Sequence, residues 1–122
     1  MDTRRKPEKP DPIPLTHVGY YVLLALSGEN RHGYGIIKDV ADLTRGRVEL
    51  EAGTLYAAIK RMKDEGLILE APASPGADNR RRTYSISKAG RRALVAESQR
   101  LETMVELARA AHVLPPTRQA RV

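Results

Sequence analysis

Five side chains between Thr54 and Lys63 carry the groups that could do chemistry together: Thr54, Tyr56, Lys60, Arg61 and Lys63. They lie in a run, Glu51 to Leu67, where Leu55, Ile59 and Met62 recur at helical spacing and form one apolar stripe. Thr54, Ala57, Lys60, Arg61 and Asp64 fall largely outside that stripe. The run therefore predicts a short helix, Gly53 to Glu65, with one apolar face and one small, cationic face. The chemistry is recognition. Small residues permit close approach, and Lys or Arg can meet base edges or phosphates when such a helix lies in a DNA major groove. An ordinary solvated surface helix has a similar composition, so the neighbouring sequence has to decide.

A second cationic group stands at Arg80, Arg81 and Arg82. Three consecutive arginines on a strand cannot all pair with core groups, so they face water or a polyanion. The formal net charge of +6 favours an acidic partner, with nucleic acid ahead of an anionic membrane surface.

Catalysis finds no comparable support. The chain has no Cys, which removes disulfides, thiolate metal sites and cysteine nucleophiles. His17, His32 and His112 each stand without a ligand-spaced neighbour, and the carboxylates are spread along helix surfaces. No enzyme activity, metal or cofactor is expected. The apolar runs are far shorter than the roughly 18 residues a spanning helix needs, and the N-terminus is charged. The expectation is a soluble, cytoplasmic protein.

With 122 residues the chain predicts one domain. It has five Tyr but no Phe or Trp, so its core must rest on Leu, Ile, Val and Ala. Residues 1–14 contain four prolines among mixed charges and read as a flexible arm. Leu15 to Ser27 predicts a first helix with Leu15, Val18, Val22, Ala25 and Leu26 inward and Gly28 at its end. Tyr20, Tyr21 and Leu24 lie partly off that stripe, so this helix should have a second neighbour. Gly33 to Leu43 predicts a second helix, with Ile36, Ile37, Val40 and Leu43 on one face. Thr44 to Arg47 is a turn, and Val48 to Leu50 could form only a very short strand. After the cationic helix, Gly66 reads as a helix stop. Leu67 to Ala71 and Thr83 to Ser87 read as a hairpin around a turn-rich tip.

Ser87 is an N-cap for a last helix from Lys88 to about His112. Leu94, Leu101 and Ala108 repeat every seven residues, with Ser98, Val105 and His112 between them. That pattern is a short, imperfect coiled-coil seam. It predicts pairing with a second chain through Leu94, Leu101, Val105 and Ala108, with Tyr20, Tyr21 and Leu24 of the first helix alongside; the alternative folds this helix back over its own core. The resulting organisation is an arm (1–14), a winged helix-turn-helix domain (15–87), a dimerisation helix (88–114) and a loose tail (115–122), mainly α within an α+β class.

The residues also resemble the PadR family of transcriptional regulators. The resemblance runs through Leu23-Leu-Ala-Leu26, His32-Gly-Tyr-Gly-Ile36, Gly53-Thr-Leu-Tyr56, Gly66-Leu-Ile68 and Arg80-Arg-Arg-Thr-Tyr-Ser-Ile-Ser-Lys-Ala-Gly90. Each piece is short; their order over about residues 14–94 is the specific feature. It implies a homodimer of the family's smaller subgroup, with Gly53 to Glu65 in the major groove and a wing, Ala71 to Ile86, on flanking DNA. It also implies contact between first and last helices across the dimer, where some members bind flat aromatic effectors. Tyr20 and Tyr21 are the nearby rings for one. Glu51-Ala52 stand where the family often carries Ser-Pro.

These readings converge on a homodimeric repressor that binds a double-stranded, pseudo-palindromic operator. The DNA contacts expected are Thr54, Tyr56, Lys60 and Arg61, then Lys63, with Arg80, Arg81 and Arg82 on the wing. A possible small aromatic effector joins DNA and a second copy as partners. Tyr56 could equally brace its helix against the wing. The competing reading is a winged-helix protein-interaction module acting through the long last helix.

Overall fold

The computed structural model describes residues 15–71 and 82–117. In chain order these form α1 (His17–Gly28), β1 (Arg31–His32), α2 (Gly33–Leu43), α3 (Ala52–Asp64), β2 (Ile68–Ala71), β3 (Thr83–Ile86) and α4 (Lys88–Ala110). The expected arm, Arg80, Arg81 and most of the tail lie outside the described residues.

Three helices, α1, α2 and α4, start where a side chain satisfies a free backbone amide. Thr16 Oγ1 accepts from Gly19 N at 3.0 Å, so α1 begins two residues later than expected. It buries Gly19, Val22, Leu23, Ala25 and Leu26, whereas Leu15 and Val18 are only half-buried. α2 is capped by His32, whose Nδ1 accepts from Gly35 N at 3.0 Å. Its Ile36 and Val40 are fully buried, but Leu43, expected inward, is 53% exposed. The helix ends beside it, and Thr44 turns the chain by accepting from Val48 N at 3.0 Å while donating to Val40 O at 2.8 Å. Arg45 and Gly46 take the left-handed conformation in that turn, at φ 55° and 80°. Val48 to Leu50 forms no strand, although Leu50 is buried.

α3 holds the expected stripe: Leu55, Ile59 and Met62 are buried, joined by Ala58. Its end is a Schellman turn. Gly66 N donates to Lys63 O at 3.0 Å, Leu67 N to Met62 O at 2.8 Å, and Gly66 sits at φ 78° where a glycine is favoured. The chain then enters β2, which pairs antiparallel with β3 in the register Ile68↔Ile86 and Glu70↔Tyr84.

The sheet differs from the expected hairpin by one strand. β1 pairs with the other edge of β3, Arg31 opposite Tyr84 and His32 opposite Thr83, giving the order β1-β3-β2. Arg31 anchors it by donating to Ala25 O at 2.9 Å and pairing with Asp39 at 3.3 Å.

Ser87 caps α4 as expected, accepting from Gly90 N at 2.9 Å and donating to Gly66 O at 2.6 Å. Leu94, expected in a seam between chains, is only 6% exposed and belongs to its own chain's core with Val22, Leu26, Leu55, Met62 and Ile68. Past Ser98 the helix leaves the domain: Met104 is 53%, Val105 39% and Leu107 64% exposed. His112, also placed in the seam, instead ends the helix in a left-handed turn at φ 63°.

The result is a winged helix of the α+β class: α1–α3 over a small three-stranded antiparallel sheet, with a C-terminal helix.

Candidate nucleic-acid interface

The outer face of α3 carries Thr54, Tyr56, Lys60, Arg61 and Lys63, all exposed. Their accessibility follows from the stripe opposite. With Leu55, Ala58, Ile59 and Met62 in the core, helical periodicity turns these positions outward. Gly53, in the first turn, is also open; a Cβ there would meet nothing within 4 Å. Glu51 occupies the N-cap position, but its side chain makes no capping hydrogen bond among the described residues. α3 therefore begins with free amide groups and partial positive charge, without the Ser-Pro start.

The five side chains are not equivalent. Lys60 pairs with Asp64 one turn on, at 3.4 Å, with both side chains largely in solvent. An exposed pair of this kind contributes little and exchanges readily. Arg61 reaches back from α3 to the start of α1, where Nη2 donates to Thr16 Oγ1 at 3.3 Å. Tyr56 has a bracing contact, though with α2 rather than the wing: its hydroxyl lies against Gly33, where an added Cβ would stand 2.1 Å away. The residue is still 43% exposed.

Lys63 and Arg82 both donate to one carboxylate, that of Glu70 on β2. Their hydrogen bonds, Lys63 first, hold the Glu70 carboxyl below its ordinary range. Opposite it in the sheet, the Tyr84 hydroxyl is pushed up, first by burial and then by the negative charge of Glu70. Tyr84 is buried. Glu70 was missed at the sequence level. A single acid in a mostly apolar strand gives no sign that cations from two other elements converge on it.

A shallow cleft of about 370 Å³ is lined by Tyr21, Leu43, Thr44, Arg45, Arg47 and Val48. Arg45 and Arg47, both exposed, belong to the turn that follows α2.

Of the side chains expected between chains, Tyr20, Tyr21 and Leu24 are half-buried along α1. The two rings meet edge-on with centroids 6.2 Å apart. The Tyr20 hydroxyl is hydrogen-bonded to Ser98 at 2.8 Å, which joins α1 to α4 within one chain. Next to that contact, Glu97 is buried and ion-paired with Arg100; that hydrogen bond holds its carboxyl below the usual range. Farther along α4, Leu101 and Ala108 are half-buried and Val105 is exposed. Among the described residues no helix is long and apolar enough to cross a membrane.

The chain matches the model of the transcriptional regulator PadR-like family over residues 22–96. A comparison with curated proteins returns no match. Among solved structures, it is similar to a transcriptional regulator from Clostridium thermocellum, with 22% identity, 77% of this chain and 88% of that one covered, and a TM-score of 0.68. It is also similar to Bacillus subtilis PadR in complex with operator DNA: 20% identity, 65% and 45% covered, TM-score 0.58. A third is Bordetella bronchiseptica BpsR, whose DNA binding is regulated by 6-hydroxynicotinic acid: 20% identity, 75% and 59% covered, TM-score 0.61. The family match spans α1 from Val22 through the first turns of α4, taking in the whole of α3 and the sheet that flanks it. The chain therefore belongs to the PadR-like family of transcriptional regulators.

Proposed function

We propose that the protein is a homodimeric repressor that lays α3 in the major groove of a pseudo-palindromic operator and sets its wing on the flanking backbone. The observation that carries this reading is the open outer face of α3. Thr54, Lys60 and Arg61 stand there in solvent beside an unobstructed Gly53, with Arg82 of the wing nearby through Glu70. Small residues admit the helix to a groove, and the cations supply base-edge or phosphate contacts. The complex of Bacillus subtilis PadR with operator DNA supports the same use of the fold. Arg80 and Arg81 extend the wing's charge in sequence.

The second copy pairs through the outer part of α4. Leu101, Val105 and Ala108 follow one another at helical spacing past the point where α4 leaves its own domain, and Tyr20, Tyr21 and Leu24 of α1 join them in the proposed interface. A small aromatic effector between α1 and α4 is the regulatory part of the reading; the action of 6-hydroxynicotinic acid on BpsR supports it. The arm, winged domain, dimerisation helix and tail keep the boundaries given above, and the cytoplasm is the compartment.

The test is a pair of binding isotherms, on the DNA upstream of the protein's own gene and on a scrambled duplex, each at two salt concentrations. The expected result is saturation as a dimer with a clear preference for the upstream fragment. Lys60→Ala should weaken that binding more than binding to the scrambled duplex. Leu101→Glu should give monomers by sedimentation. Equal, weak, salt-sensitive binding to both duplexes would refute operator recognition there, and a surviving Leu101→Glu dimer would move the interface elsewhere.

A further inference from the structure

Glu70 stands between the two elements assigned to DNA. It lies on β2, yet its Oε1 accepts from Lys63 of α3 and its Oε2 from Arg82, the residue before β3. The carboxylate is largely covered, its side chain only 15% exposed, while Lys63 remains 39% and Arg82 56% exposed. An ammonium has three donors and a guanidinium five, so each cation keeps donors for an outside acceptor. The arrangement is an acid tucked beneath two cations that still face outward. Burial on its inner side and a fixed strand register opposite Tyr84 hold it in place.

Two consequences follow from electrostatics. Holding one cation from each element with a single group ties the last turn of α3 to the base of the wing. It also removes one unit of positive charge from the surface that meets DNA, and restrains two long side chains that would otherwise find any phosphate. Affinity for arbitrary DNA rises with the number of phosphates neutralised, whereas register on an operator depends on where the cations stand.

We propose that Glu70 is a positioning residue for operator selectivity, clamping Lys63 and Arg82 so that helix and wing meet DNA in one geometry and bind non-operator DNA weakly. This rests on the reading of α3 and the wing as the DNA surface. No acid at this place is required for basic charge or for the core; its effect is on discrimination.

The experiment begins by selecting a preferred duplex from a random pool with the wild-type protein. Affinity for that duplex and for a scrambled one is then measured across a salt series for wild type, Glu70→Gln and Glu70→Asp. The Gln variant keeps size and removes the charge. The Asp variant keeps the charge but is one methylene too short to span both cations. Glu70→Gln should bind the scrambled duplex roughly three- to tenfold more tightly, with the slope of log K against log salt steeper by about 0.9 for each phosphate gained. Its preference for the selected duplex should fall correspondingly. Glu70→Asp should lose preference with little change in slope, and it keeps the proposal testable should Glu70→Gln fold poorly. Variants that keep the wild-type preference and slope would overturn the clamp. A wild-type protein that enriches no duplex would instead overturn the DNA reading on which it rests.

Discussion

Gly90→Ala puts the packing of α4 to a test in which two physical effects have opposite signs. Gly90 lies in the first turn of α4, and alanine is the better helix former by about 1 kcal/mol. Propensity alone therefore expects a more stable protein. The structure expects the reverse. A Cβ at Gly90 would stand 2.2 Å from the Leu67 carbonyl oxygen, 2.9 Å from Ile86 Cγ1 and 3.1 Å from the Leu67 carbonyl carbon. Two of those atoms are backbone, so they cannot swing aside as a flexible side chain would. The Leu67 carbonyl also accepts from Ser87 N at 3.0 Å, and Ser87 Oγ donates to Gly66 O at 2.6 Å. Making room for a methyl group separates α4 from the α3–β2 connection and strains those bonds. Overpacking costs about 1 to 3 kcal/mol, and a weakened hydrogen bond about 1 kcal/mol more. After the propensity gain, the net loss is about 2 kcal/mol, a fall in melting temperature of roughly 8 to 16 °C for a domain of this size. Circular dichroism melts at one fixed protein concentration would read it, because self-association shifts the apparent stability. Gly53→Ala is the matched control. It too sits in the first turn of a helix, but its Cβ would meet nothing within 4 Å, so it should melt a few degrees higher. A Gly90→Ala protein as stable as wild type would refute the close packing of α4 on Leu67.

Other substitutions test other joints of the fold. His32→Ala removes the acceptor for Gly35 N and should cost about 1 kcal/mol, with His32→Asn recovering most of it, as judged by urea unfolding. Gly33→Ala should displace the Tyr56 ring, visible as increased tyrosine exposure in solvent-perturbation spectra; an unmoved ring would mean that Gly33 does not set its position. The Glu97 carboxyl, held low by Arg100, contributes stability that is complete above the ordinary glutamate range and lost as pH falls through its lowered folded value. Wild type should therefore lose stability more steeply than Glu97→Gln on acidification, and parallel pH profiles would remove the pair from the stability balance.

The parts of this fold legible in the sequence are those where one local signal has one reading. Leu55, Ile59 and Met62 define a helix face by period alone, Gly66 a helix end by its backbone freedom, and Ser87 a helix start by its hydroxyl. The misses arise where a local signal has two readings or none. Leu94 sits at a position that serves a coiled-coil seam and an intramolecular core equally well, because both use the same spacing; only the placement of α1 and α3 decides for the core. Leu43 fits the α2 face, but the helix ends there and leaves it in solvent. A two-residue strand such as β1 has no alternation to detect, and histidine is not among the usual capping residues. For the candidate site, periodicity alone brought out the outer face of α3. The clamp at Glu70 depends on the fold bringing Lys63 of α3 and Arg82 to one carboxylate on β2, which no spacing along the chain expresses.

β1 adds only two residues to the sheet, but it makes β3 a central strand instead of half of a hairpin. A lone two-stranded hairpin is marginal in water, and its register depends heavily on the turn that closes it. Here β3 is fixed from its other edge as well, by Arg31 and His32. The sequence between Ala71 and Arg82 is thereby relieved of the task of setting strand alignment. A change in its length or composition is therefore expected to leave the β1-β3-β2 register in place.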